Sequence, residues 1–554
     1  MTETPTTTGL DVSRRSLLAA LGATGAATVI GTVAAVAPAD AATSSSPAPS
    51  GVFGSRPGTK PGQTGSVVPA VAGLHVTFGS DASTQATVSW QTIARVSNPK
   101  VLIAPEGGQF ERATNAVTTS YTDAKSGEVV YVFHGRLQGL KPATDYVYLA
   151  VHDGAKPEFG TFRTAPQGRT AFRFTSFGDQ GTPTTGKQVN GTWVNDNLGS
   201  PAAGDTTAGV ESLEPLLHLF NGDLCYANLA TDRVRTWSDF WNNNTRSARH
   251  RAWMPAPGNH ENEAGNGAIG YAAFQTYFDT PRQPGQTDTT AGLWYDLTVG
   301  SVKFIFLAND DITYQDAGDE DVLGYSHGAQ KAWLEATLKQ ARADASIDWI
   351  VVCMHQVAIS TASNFNGADL GIRQQWLPLF DKYGVDLVVG GHEHHYERSL
   401  AIRGQQQNQT LTPIPVSPEL KNVDTTKGTV HMVIGGGGTS APSNQLFYPG
   451  TPGASDPAQL PTCRVVVARD TSQPRTATGH YPPVYVEEKA TWSGVRDAAH
   501  SYGFASFDVD PGRSAGDLTT ITVTYYEVAG PYGTLTPFET FTLQRPRSDA
   551  HRRH

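Results

Sequence analysis

The chain has 554 residues, 38% of them hydrophobic and 17% charged, enough apolar material for a large core and roughly two to four domains. Its formal net charge of -10 excludes a broad polyanion-binding face, so no nucleic-acid polymer is expected as a partner; a small ligand of either sign is compatible with it. Three scattered cysteines exclude a disulfide framework, and 57 glycines with 35 prolines point to strands and loops rather than helical bundles.

At the N-terminus, Ser13-Arg14-Arg15-Ser16-Leu17-Leu18 precedes a mildly apolar run to Ala37 and a small-residue cleavage pattern, Ala39-Asp40-Ala41. Residues 1–41 resemble a twin-arginine export signal, which implies a secreted protein with no stable membrane insertion after cleavage. The alternative is an uncleaved anchor, since the run is nearly long enough to span. Residues 42–66 are rich in Ser, Pro, Gly and Thr and cannot bury enough surface to fold, so a flexible linker is expected.

Between 67 and 166 the pattern becomes short and alternating. Leu74–Phe78 and Ala86–Trp90 read as half-buried strands, with Trp90 placed to fill a sandwich. Leu140-Lys141-Pro142-Ala143-Thr144-Asp145-Tyr146 resembles the tyrosine corner of fibronectin type III domains, which predicts a seven-stranded β-sandwich. It carries no cluster of catalytic side chains and is expected to pack or position.

From 171 to 545 the grammar is α/β. Apolar runs expected to be strands buried on both faces are Phe172–Phe177, Leu216–Phe220, Val302–Leu307, Trp349–Met354, Leu387–Val389 and Val430–Ile434. A helix is predicted over Gly328–Ala343 with Ala332, Leu334, Ala336 and Leu338 near the core. Further strands are predicted over Ala291–Thr298, Thr519–Val528 and Phe538–Leu543. Residues 546–554 form a charged tail expected to fray. No role is readable for 405–427 and 439–501.

Five segments put metal-ligand types just after apolar runs: Gly178-Asp179, Gly222-Asp223-Leu224-Cys225-Tyr226, Gly258-Asn259-His260-Glu261, Met354-His355 and Gly391-His392-Glu393-His394. A strand ending in Gly can turn sharply and leave the next side chain at the carboxyl edge of the sheet, where α/β sites form. Each motif alone is weak, because Gly-Asp is a common turn and a lone His is commonly a core residue. All five in one strand-then-loop context are a strong joint signal.

This ordered set resembles the purple acid phosphatases, within the calcineurin-like metallophosphoesterases. The resemblance covers roughly 172–528 and extends to the preceding sandwich. It implies a four-layer αββα catalytic fold behind an immunoglobulin-like, fibronectin type III-like domain, α+β and α/β in class. It further implies that Asp179, Asp223, Tyr226 and His394 hold Fe(III), and that Asn259, His355 and His392, with Asp223 bridging, hold a divalent Fe, Zn or Mn. The hardness of the two donor sets agrees. In-line attack by hydroxide generated at the metal pair would hydrolyse a phosphate monoester, with Asn259 and His260 binding the phosphoryl group. Plant-type members place histidines about nine or ten residues after the His355 position; here Asn364 and Phe365 stand there. Asn364 is therefore a candidate substrate contact, and tolerance of diesters is the alternative. A minor alternative is a non-catalytic secreted binding protein. Arg398, Cys225, Cys353 and Gly435–Gly438 are read as structural, and His431 is left unassigned. Oligomeric state is not readable.

Overall fold

A computed structural model describes residues 68–263, 268–315, 324–475 and 481–550. The expected export signal and linker, and the end of the charged tail, lie outside the described residues. Among the described residues no helix is long and apolar enough to cross a membrane.

The first unit is a β-sandwich. One sheet contains Ala72–Phe78, Ala86–Thr92, Val129–Leu137 and Val117–Thr122; the other contains Arg112–Asn115, Lys100–Pro105, Asp145–Val151 and Glu158–Arg163. There are eight segments rather than seven because the run 112–122 changes sheet at Ala116, whose N–H donates to Pro99 O instead. Trp90 is fully buried and stacks on Phe133 with ring centroids 5.4 Å apart. The Tyr146 hydroxyl accepts the N–H of Lys141 at 2.8 Å, the bond that defines a tyrosine corner.

The sandwich is joined to the second unit through its backbone. Val76 pairs in parallel with Ala252, so the first sheet of the sandwich continues into that unit as one eleven-stranded sheet. His75 stacks on Trp241 at 3.9 Å across this junction. Joining edge to edge removes two exposed strand edges at once.

The second unit packs two mixed sheets face to face. Phe172–Phe177, Leu217–Asn221 and Ala252–Ala256 run parallel in one; Val302–Phe306, Trp349–Cys353, Leu387–Gly390 and Val430–Ile434 run parallel in the other. Phe174 meets Phe304 edge-on at 5.0 Å between them. Helices Ala202–Ser212 and Arg233–Ala248 cover the first sheet, and Ala329–Ala343, Leu370–Gln375 and Leu377–Tyr383 cover the second, giving four αββα layers.

Two expectations shift. In Ala329–Ala343 the buried stripe is Gln330, Trp333, Leu334, Leu338 and Ala341, whereas Ala332 and Ala336 are exposed; a helix buries positions three and four apart, and those alanines sit off that stripe. Strand Ala252–Ala256 escaped sequence reading because Pro255 interrupts a five-residue run, yet it pairs with both neighbours. The segment with no readable role supplies Thr462–Arg469, which pairs antiparallel with Pro483–Lys489 and parallel with Ala368–Asp369.

Candidate metal centre

Each candidate ligand follows the carboxyl end of a parallel strand, and the two sheets bring these ends to one rim. The turns are tight. Among the described non-glycine residues with positive φ are Asp179 (57°), Asp223 (54°), Tyr226 (56°) and His392 (68°). Left-handed backbone costs a side-chain-bearing residue on the order of 1–3 kcal/mol, and such strain concentrates at functional sites. Gly222, at φ 78°, could not carry a side chain: a Cβ there would lie 2.7 Å from the His355 ring.

The seven side chains meet as two groups. In the first, Tyr226 Oη lies 3.3 Å from Asp179 Oδ1 and 3.1 Å from His394 Nε2, and His394 Nε2 lies 3.2 Å from Asp179 Oδ1. In the second, His355 Nε2 lies 3.1 Å from Asp223 Oδ2, 3.0 Å from Asn259 Oδ1 and 3.1 Å from His392 Nδ1. The backbone N–H of His392 donates to both Asp179 oxygens at 3.0 and 2.8 Å, which joins the groups. The imidazoles are aimed from behind: His355 Nδ1 faces Asn221 O at 2.8 Å and His394 Nδ1 faces Ala441 O at 2.7 Å. A carbonyl only accepts, so each ring carries a hydrogen on Nδ1 and leaves Nε2 as the nitrogen that faces the pocket and can bind a cation.

The electrostatics suit cations. Asp179 and Asp223 are buried, and among the described residues neither pairs with a lysine or arginine. Burial pushes His355 down, yet the Asp223 and Asp179 carboxylates outweigh it and hold it up to about 10. Burial, then the charges of Asp179 and Asp223, push the Tyr226 phenol well above its ordinary value. Burial and then His355 push His392 well below its own. Buried carboxylates without a cationic side chain are costly, and metal ions supply the missing charge. Carboxylate, phenol, imidazole and amide donors fit two ions, so Asp179, Asp223, Tyr226 and His394 could hold one, and Asn259, His355, His392 and Asp223 the other.

His260 borders this pocket. Its N–H donates to Asp223 Oδ1 at 2.9 Å, its Nδ1 lies 2.8 Å from Asn228 Oδ1, and its Nε2 lies 4.0 Å from Asp223 Oδ2. Asn364 is exposed beside Phe365, whose ring meets His394 edge-on at 4.7 Å. Asn366 donates to His392 O at 2.6 Å and is thereby spent on the loop.

The remaining readings resolve simply. Arg398 is fully buried against Glu539 and over the Phe541 ring at 3.9 Å. Cys225 and Cys353 are free and buried, with Cys353 Sγ 3.1 Å from Asn221 Oδ1. A Cβ on Gly435 would lie 2.9 Å from Asp179 Oδ2, so that stretch packs against the ligands. His431 is buried in its strand 6.5 Å from the Phe380 ring, and no hydrogen bond ties it to the ligands. Sequence reading missed Glu261, which accepts N–H bonds from Asp223, Leu224 and Gly258 at 2.8, 2.8 and 2.7 Å and so holds two ligand loops. Burial and then the Asp223 charge push this carboxyl up to about 8. It also missed Asn309, whose Oδ1 accepts the His355 N–H at 2.8 Å. The polar run after Val302–Phe306 was its signal.

Comparison with known proteins agrees. Residues 71–164 match the family model of the purple acid phosphatase N-terminal domain, and residues 203–396 that of the calcineurin-like phosphoesterases. The chain is 54% identical over 536 residues to an uncharacterized protein of Mycobacterium tuberculosis, covering 97% of this chain and 96% of that one. It is 25% identical over 375 residues to a purple acid phosphatase of Glycine max, covering 66% and 72% respectively. In fold it is similar to a purple acid phosphatase from yellow lupin (Lupinus luteus) seeds, with TM-score 0.60 and 21% identity over 87% of this chain and 76% of that one. A matched N-terminal sandwich, a matched phosphoesterase unit and a rim of clustered metal donors therefore identify this chain as a member of the purple acid phosphatase family of calcineurin-like metallophosphoesterases, a phosphoric-ester hydrolase.

Proposed function

We propose that this chain is an exported phosphatase that hydrolyses phosphate monoesters with Fe(III) and a divalent Fe, Zn or Mn held by the two groups of ligands. The observation that carries the reading is the meeting of seven donors, from five separate strand ends, in two groups of contacts of 3.0–3.3 Å. When bound, the pair would supply an activated water and neutralise charge on the phosphoryl oxygens. The chain's own residues do the rest. Asn259 and His260 stand at the mouth of the pocket, where an amide and an imidazole can orient phosphoryl oxygens. The Asn228 contact fixes the His260 ring and leaves Nε2 on the Asp223 side. Export follows from the signal-like residues 13–41.

A second reading, a phosphodiesterase on the same centre, draws support from Phe365. An aromatic ring beside His394 cannot protonate a leaving group, which favours esters whose leaving group needs no proton.

Two measurements decide. Rates on a monoester and a diester sharing one chromogenic leaving group separate the readings; a faster diester rate overturns the first. Metal analysis with a visible spectrum tests the ferric assignment: a tyrosinate-to-iron band is expected, and its loss in Tyr226→Phe with iron retained. Two equivalents of zinc without iron would overturn the assignment.

A further inference from the structure

We propose that Gln315 is a positioning residue that decides which nitrogen of His392 faces the metal pocket, acting through a closed ring of hydrogen bonds with Asn366. The inference rests on the ligand assignment above and goes beyond it to a residue outside the ligand set.

The ring has only one self-consistent direction. His392 O is a backbone carbonyl and only accepts, so the Asn366 atom 2.6 Å from it must be Nδ2. That turns Asn366 Oδ1 toward Gln315, which must present Nε2 to it, at 3.1 Å. Gln315 Oε1 then faces His392 Nε2 at 3.1 Å. An amide oxygen cannot donate, so the hydrogen of the neutral imidazole sits on Nε2. Nδ1 is left with its lone pair, 3.1 Å from His355 Nε2 on the pocket side. Reversing either amide would set acceptor against acceptor or donor against donor. The direction of one main-chain carbonyl thus passes through two side chains to a ligand nitrogen. His355 and His394 each use a backbone carbonyl directly for this purpose, whereas His392 uses a side-chain amide.

The ring is braced from distant parts of the chain. Asp369 accepts the N–H groups of Tyr314 and Gln315 at 3.1 and 3.0 Å, and Arg469 donates to Tyr314 O. Arg464 donates to Ser363 O at 3.3 Å and to Phe365 O, next to Asn366. Glu393 accepts the Gly367 N–H at 2.7 Å on the other side. Both arginines lie on Thr462–Arg469, so this strand holds the two loops that close around His392.

The test uses the mature protein, stripped of metal and reloaded with Zn(II) alone. Bound zinc per chain and its affinity are read by elemental analysis and chelator competition, and imidazole tautomers by nitrogen-15 NMR of the metal-free protein. Gln315→Leu should weaken the second zinc about 10- to 100-fold while the first is retained, the usual cost of losing a partner behind a ligand. His392 should change from one tautomer to a mixture. Gln315→Glu keeps an acceptor facing Nε2 and should keep most of the affinity, whereas Gln315→Leu keeps bulk without an acceptor; a merely space-filling role would spare both variants. Undiminished affinity in Gln315→Leu, or a hydrogen on Nδ1 in the unsubstituted chain, overturns the role of Gln315. An unsubstituted chain that takes up no second zinc overturns instead the ligand assignment beneath it.

Discussion

At the scale of single residues, the resemblance to plant-type purple acid phosphatases implies histidines where Asn364 and Phe365 stand. The Phe365 ring covers one side of His394, and Asn364 is exposed. Neither can give a proton to a departing alkoxide. If this substitution sets the preference among esters, Phe365→His should raise turnover of monoesters with poor leaving groups by about tenfold, a fraction of the roughly hundredfold or more that a positioned acid contributes. Activated aryl esters, which need no acid, should change little. Steady-state rates over a leaving-group series check this, and equal gains on every ester would mean that the residue acts only by packing. Glu261 shows the opposite situation, a residue next to the motif whose task is hidden from sequence. Its carboxyl orders the backbone of the Asp223 and Asn259 loops by accepting three N–H groups. Removing an acceptor from buried donors costs about 1–3 kcal/mol each.

At the scale of elements, strand position explains what could be read in advance. Trp349–Cys353 and Leu387–Gly390 form where expected because strands buried on both faces are continuous apolar runs that need no partner to be recognised. Ala252–Ala256 carries Asn259 and His260 to the rim, yet it is a strand only because its two neighbours supply pairing. One of those neighbours belongs to the sandwich. Its wall is Trp241, stacked on His75 and fully buried. Trp241→Ala should therefore destabilise by about 3–5 kcal/mol. It should also loosen the Asn259 loop, so metal retention at the second group should fall together with the midpoint of denaturant unfolding. A lower midpoint with metal retention unchanged would show that the junction stabilises without positioning.

At the scale of the whole molecule, burial of histidines outside the site sets how the fold meets acid. Burial pushes His218 down to about 3, and burial aided by Arg373 does the same to His431. In the unfolded chain both would take a proton near pH 6.5, while in the fold they do not until about 3. The unfolded state thus binds more protons across that window, so stability is intact above pH 6.5 and falls as pH drops toward 3, by about 1.4 kcal/mol per pH unit for each histidine. Thermal midpoints of the metal-loaded protein between pH 7 and 4 should show this fall, and His218→Gln should flatten it. A profile unchanged by that substitution would place the acid sensitivity elsewhere. The sequence by itself determined the chemistry: which donor types are present, that each follows an apolar run, and that a sandwich precedes an α/β unit. These are local properties, written in periodicity and in the residue after a strand. Only the tertiary structure decided that the donors meet, which backbone groups aim each imidazole, and that Thr462–Arg469 reaches back to brace the ligand loops. Those depend on sheet order and on hydrogen bonds between residues far apart in the chain, 47 positions for His394 and Ala441 and 155 for Arg469 and Tyr314, and no spacing along the chain encodes the direction in which such bonds point.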